Sequence, residues 1–190
     1  MRTEKLNQLS ACYDAIEWVK TRKSPKDAWM NCIRGDWMLW LAKKLDVDDR
    51  KLTLTKAMCA KQVEYLMKDQ RSKDALDACF KYANGLITRK KLDQYAADAY
   101  AAYTTTYDDA AAAAAYAAAA AAYAAAYADA AYADAAAAHA AYAAYVYAAY
   151  VYAADADNEA KTNSLKKSAD ICREILTDEV LLKYKKLRKK

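Results

Sequence analysis

Apolar residues return at spacings of three and four along most of this chain, and that period belongs to helices rather than strands. Leu6, Leu9, Cys12, Tyr13, Ile16 and Val19 trace one face, which predicts a first helix over 5–22. Ser24-Pro25 predicts the next start, with serine as N-cap, proline in the first turn and Asp27 as an early acid. This short helix is expected to end near Gly35. Asp36 is then placed to cap a helix that carries Trp37, Trp40 and Leu41 on one side and ends by about Asp46. Thr53 or Thr55 opens a further helix to Lys68, and Ser72 another to Asn84-Gly85, a dipeptide suited to a helix C-terminus. Thr88 starts a helix that enters an alanine tract. The segment from Ser164 to Leu176 sets Leu165, Ala169, Cys172, Ile175 and Leu176 on one face, and Thr177-Asp178-Glu179 is expected to restart a turn after it.

The tract itself has no lysine or arginine between Leu92 and Ala160, and consists of alanine with inset tyrosines and a few aspartates. Alanine is the best helix former and has one methyl to bury, so such helices pack closely and tyrosine supplies the large contacts. A single helix over 107–159 would be about 80 Å long, against a radius of gyration of about 16 Å for a compact chain of this size. The tract is therefore expected to fold back or to join an extended oligomer. Projected on a helix, Tyr116, Tyr123, Tyr127 and Tyr145 oppose Tyr132, Tyr147 and Tyr150, which argues for at least two helices. Thr104 to Thr106 with Asp108, and the neighbourhood of Asp129 and Asp134, are the expected breaks. A five-residue rhythm links Tyr127, Tyr132, Tyr142, Tyr147 and Tyr152, but a pentapeptide solenoid needs bulkier interior residues than alanine.

With two glycines and one proline in 190 residues, the fold expected is all-α: a compact multi-helix bundle with closely packed Ala/Tyr-rich helices, in one domain. The net charge of +5 is unevenly spread, from a basic, Trp- and Cys-containing part over 1–93, through an acidic part over 94–160, to a basic closing part over 161–190. The simplest account is basic flanks packed around an acidic middle. Five cysteines, odd in number and widely spaced, are expected to be reduced core residues of a cytoplasmic protein. The opening MRTEKLNQLS has no apolar signal segment. The uncharged run from Ala110 to Ala128 is long enough to span a bilayer, yet its methyls transfer weakly, so it is assigned to a packed helix with no membrane.

Chemistry-bearing constellations are sparse. His139 is the only histidine and has no local nucleophile, and no short cysteine pair anchors a metal. Gly35 and Gly85 stand alone, so there is no phosphate loop or dinucleotide fingerprint. Asp108-Asp109 and Asp129 with Asp134 do not converge within one helix. The expectation is no catalytic residue, no metal and no cofactor, with a solvated basic C-terminus rather than a nucleic-acid surface. The densest local signal is Trp29 to Ala42, in which three of the four tryptophans surround Arg34-Gly35-Asp36. Gly35 is expected to stop one helix, Asp36 to start the next, and the indoles to anchor both. Arg34 and Asp36 would then lie at the mouth of an aromatic corner. Trp37, Trp40 and the tyrosine rows at Tyr142, Tyr145 and Tyr150 complete the candidate binding residues.

These residues carry a resemblance. Pro25, Ala28, Trp29, Cys32, Arg34-Gly35-Asp36-Trp37, Leu39-Trp40-Leu41-Ala42, Cys59-Ala60 and Ala169-Asp170-Ile171-Cys172-Arg173-Glu174, with the alanine tract between, are similar to the alanine-rich immunity proteins of bacterial polymorphic-toxin loci and phage genomes. The resemblance implies an all-helical, non-enzymatic protein of the bacterial or phage-infected cytoplasm that neutralises a toxin or effector protein by occlusion. Nuclease inhibitors tend to be acidic, and this chain is basic. A second reading is a phage counter-defence protein that sequesters a nucleotide-derived signal between tyrosine faces. A third is a homo-oligomer joined through alanine and tyrosine stripes.

Overall fold

The computed structural model describes residues 3–105, 118, 121 and 157–188. The described residues are all-helical, with no strand among them, and none of their helices is long and apolar enough to cross a membrane. The remaining tract, with Ala110 to Ala128 apart from Ala118 and Ala121, His139, Tyr142, Tyr145, Tyr150 and the Asp108, Asp109, Asp129 and Asp134 carboxylates, lies outside the described residues.

Four short helices open the chain: α1 (Glu4–Gln8), α2 (Tyr13–Lys20), α3 (Pro25–Asn31) and α4 (Gly35–Lys44). The single first helix expected from the periodicity is thus two helices. Ser10 adopts φ 63°, the left-handed conformation that ends a helix, and Cys12 is extended before α2. The break turns Cys12 and Tyr13 to solvent, so Cys12 is not the core thiol expected of it. Ser24 caps α3 as its sequence indicates, accepting a hydrogen bond from the Asp27 amide at 3.0 Å.

Gly35 has a different task from the one expected. The preceding helix ends at Asn31, and Gly35 is the first residue of α4, with Arg34 and not Asp36 at the cap position. A Cβ on Gly35 would come within 2.4 Å of Ser168 Cβ and 2.8 Å of the Ala169 amide nitrogen. Glycine is required here because another helix backbone passes at that point.

Helix α5 (Asp49–Lys61), a 3₁₀ turn (Glu64–Leu66), α6 (Gln70–Ala83) and α7 (Arg89–Thr105) follow. Asp48 and Asp69 cap α5 and α6, accepting from the amides of Lys51 and Arg71. Thr53, Thr55 and Ser72, offered as caps by the sequence, sit inside these helices and are buried, the Ser72 hydroxyl without a partner. Burial against neighbouring helices decides between adjacent capping residues. Asn84 and Gly85, at φ 76°, end α6 as expected, and the Thr88 hydroxyl accepts from the Lys91 amide at the start of α7.

The last helix, α8 (Asp157–Leu187), runs 31 residues without the turn expected at Thr177. The Thr177 hydroxyl bonds the Arg173 carbonyl within the helix, at 2.5 Å, instead of capping a new one. Helix α8 packs on α3, α4 and α5, α5 packs on α6, and α6 on α7. Two cores result. One joins α1 to α4 with α8 through Leu6, Val19, Trp29, Met38, Leu39, Leu176 and Val180. The other joins α5 to α7 through Ala57, Ala60, Cys79, Leu92 and Ala96, and it includes the helical Ala118 and Ala121 of the tract.

Candidate functional site

The expected aromatic corner exists, and it is larger than the local sequence indicates. Trp29 on α3 and Trp37 and Trp40 on α4 are joined by Trp18 from α2, so all four tryptophans of the chain line one cavity of ≈ 80 Å³. Trp18 meets Trp37 edge-on, with ring centroids 6.2 Å apart and planes at 61°. Trp29 is buried and donates its indole N–H to the Thr177 hydroxyl at 2.8 Å. Val180, Leu181 and Tyr184 of α8 close the far wall. Val180 and Tyr184 continue the three- and four-residue spacing of Leu165, Ala169, Cys172 and Leu176 past Thr177, a signal that was present in the sequence.

Arg34 and Asp36 form a forked pair, with Nε to Oδ1 at 2.8 Å and Nη2 to Oδ2 at 2.5 Å. The Asp36 side chain is 3% exposed and that of Arg34 33%. The hydrogen bond that Arg34 donates to Asp36 holds the Arg34 pKa above its ordinary value, against the cost of burial. The guanidinium also lies over the Trp37 ring, its central carbon 4.4 Å from the ring centroid. Asp36 is therefore a buried structural partner and not a ligand-facing carboxylate. Arg34 is left with a partly exposed, charge-compensated face.

The conformation of this corner is fixed from α8. Arg173 donates to the Cys32 carbonyl at 2.6 Å and to Asp170 at 2.5 Å, while the Cys172 thiol points at the Gly35 carbonyl at 3.9 Å. The segments around Arg34-Gly35-Asp36 and around Asp170-Ile171-Cys172-Arg173 thus meet in space. Burial pushes the Cys32 thiol up to about 11 and the Cys172 thiol well above its ordinary value, so neither supplies a thiolate nucleophile near neutral pH.

Outside the cavity the corner is apolar and open. Met30 and Ile33 are 44% and 48% exposed beside Arg34, and Tyr13 is 75% exposed on the adjoining α2. Cys12, next to Tyr13, is within electrostatic reach of Arg34. The sequence did not single out Tyr13, Met30 or Ile33 for binding: Tyr13 falls on the apolar stripe of the single first helix expected there, and Met30 and Ile33, at the end of α3, gave no periodic signal.

A second polar cluster ties α5, α6 and α7 together. The Tyr82 hydroxyl donates to Asp49 at 2.7 Å, Arg89 pairs with Asp49 at 2.6 Å and with Asp93 at 3.2 Å, and Arg50 donates to the Tyr82 carbonyl. Both arginines stack near the Tyr82 ring. Each charge has its partner, so the cluster serves as a clamp. Among the described residues no group of His, Cys, Asp and Glu could hold a metal ion.

In comparisons with family models, curated proteins and solved structures, the chain matches none.

Proposed function

We infer that this chain is a non-enzymatic, immunity-type binding protein that neutralises a toxin or effector protein by covering its working surface. The observation that carries this reading is the exposure of the apolar side chains Tyr13, Met30 and Ile33, with Arg34 held over the Trp37 ring. Aromatic, methionine and arginine side chains of this kind are enriched where proteins bind one another. Arg34 is restrained by Asp36, so little side-chain freedom is lost on binding. The resemblance of the Arg34-Gly35-Asp36-Trp37 segment to immunity proteins points the same way. A sequestered nucleotide signal is not favoured at this face, since the Arg34 charge is already met by Asp36.

The test is a pull-down from cells that produce this chain for a protein that is toxic when expressed alone, followed by co-expression of the two. Growth is expected to be restored and a stoichiometric complex to co-purify. Joint replacement Met30→Asp and Ile33→Asp is expected to abolish both while leaving thermal melting unchanged, a loss of about 2 kcal/mol or more in binding. Rescue by the double variant, or rescue without a complex, would overturn the reading.

A further inference from the structure

The tryptophan cavity shares a wall with a second concavity. An open groove of ≈ 490 Å³ lies between the start of α3 and the last turns of α8, and Pro25, Leu181 and Tyr184 line both spaces. The groove adds Lys26, Lys185 and Arg188. All three are exposed, and among the described residues none is paired with a carboxylate. The adjacent Asp27 is engaged elsewhere, by the Lys23 amide and the Asn31 side chain. Cations in the last turn of α8 suit its dipole. Lys26 comes from the opposite wall, so that explanation does not cover it, and three like charges converge on one groove.

Size and chemistry limit what fits. A cavity of about 150 Å³ admits benzene, so one of ≈ 80 Å³ takes the end of an unbranched alkyl chain and rejects a ring. The walls offer apolar and aromatic surface, and the polar groups stand at one end only. Tyr184 is at that end. Its hydroxyl makes no hydrogen bond among the described residues, and burial keeps it protonated, a free donor where cavity meets groove.

We propose that cavity and groove form one site for a medium-chain aliphatic monocarboxylate, a free fatty acid, with its alkyl end among the four tryptophans and its carboxylate against Lys26, Lys185 and Arg188. This site is independent of the outer face assigned to a protein partner. The two draw on different side chains, Tyr13, Met30 and Ile33 for the outer face and Lys26, Tyr184, Lys185 and Arg188 for the groove, and can be tested separately.

Because every indole of the chain borders the cavity, intrinsic fluorescence reports occupancy directly. The full chain is titrated with hexanoate, octanoate and decanoate below their micellar concentrations. Saturable one-to-one binding is expected, tightening roughly fourfold per buried methylene until the cavity is full and flat beyond it. Decanol, of equal length without the charge, is expected to bind at least tenfold more weakly, and decyltrimethylammonium not to bind. Replacing both Lys185→Glu and Arg188→Glu, exposed positions that leave the fold intact by circular dichroism, is expected to weaken decanoate at least tenfold. Tyr184→Phe is expected to weaken it two- to threefold. Equal affinity for decanol and decanoate, an unaffected charge-reversed variant, or no saturable signal overturns the proposal. Binding to phosphatidylglycerol vesicles without binding of decanoate also overturns it, and would make the groove a membrane-facing surface.

Discussion

The two cores of this protein solve the same packing problem in opposite ways. Around the tryptophan corner, helices of 5 to 10 residues meet at a chain that reverses often, and large side chains fill the irregular space between them. In the layer of α5, α6 and α7, helices of 13 to 17 residues lie against one another over alanine and cysteine. Small residues let backbones approach and leave little to misfit. Bulky ones fill what short helices cannot reach, and here they leave ≈ 80 Å³ unfilled. The comparison teaches that space for a guest arises where packing relies on bulk, and rigidity where it relies on close approach.

Alkali should act on both cores and discriminate least between them. Burial raises Cys32 from the ordinary thiol value of 9.0 to about 11, and Cys59 and Cys79 to about 12, with Cys172 also well above it. The native state therefore keeps these protons after the unfolded chain has released them. Their stabilisation is complete below pH 9.0 and falls as pH rises toward about 12, by about 1.4 kcal/mol per pH unit for each thiol. Urea melts between about pH 8 and about pH 11 should show this slope. Cys79→Ala is expected to reduce it by one proton.

The border between the cores is the next place to press. Gly35→Ala sets a methyl against Ser168 and the Ala169 backbone, neither of which is a flexible side-chain end. A loss of about 3 kcal/mol is expected from chemical denaturation. A loss under about 1 kcal/mol would mean that α4 can slide away from α8 and that the corner is softer than its contacts imply. The finest discrimination comes from one substitution made in each core. Ala57→Leu overpacks the layer and should cost about 2 kcal/mol, whereas Ala15→Leu points into the corner cavity and should stay within about 1 kcal/mol of the parent. Equal costs would erase the distinction between the two modes of packing.

Much of this architecture can be traced to short-range signals. Ser24-Pro25, Thr88 and Asn84-Gly85 act where their chemistry places them, because capping and left-handed closure are local events. The apolar face of α8 likewise follows its spacing, with Leu165, Ala169, Cys172 and Leu176 buried. Failures fall where tertiary contact chooses. Ser10 breaks an otherwise continuous apolar stripe, and Asp48 and Asp69 displace nearby Thr and Ser caps that the layer buries. Of the candidate site, the clustering of Trp29, Trp37 and Trp40 was legible. Arg34 and Asp36 were expected side by side at the mouth of the corner, yet nothing local showed that they would pair with each other and leave Asp36 buried. Trp18 and Tyr184 join from distant segments, and only their meeting in three dimensions defines the cavity.

The long reach of α8 governs when the molecule can come into being. Trp29 finds its hydroxyl partner 148 residues further along the chain, and the Cys32 carbonyl its arginine 141 residues on. During synthesis the first four helices emerge with a sticky, unroofed aromatic surface, and it stays unroofed until α8 has been made. Closure of so long a loop is slow compared with the formation of local helices. The nascent chain therefore passes through a period in which a chaperone can reach Trp29, which the folded protein keeps covered.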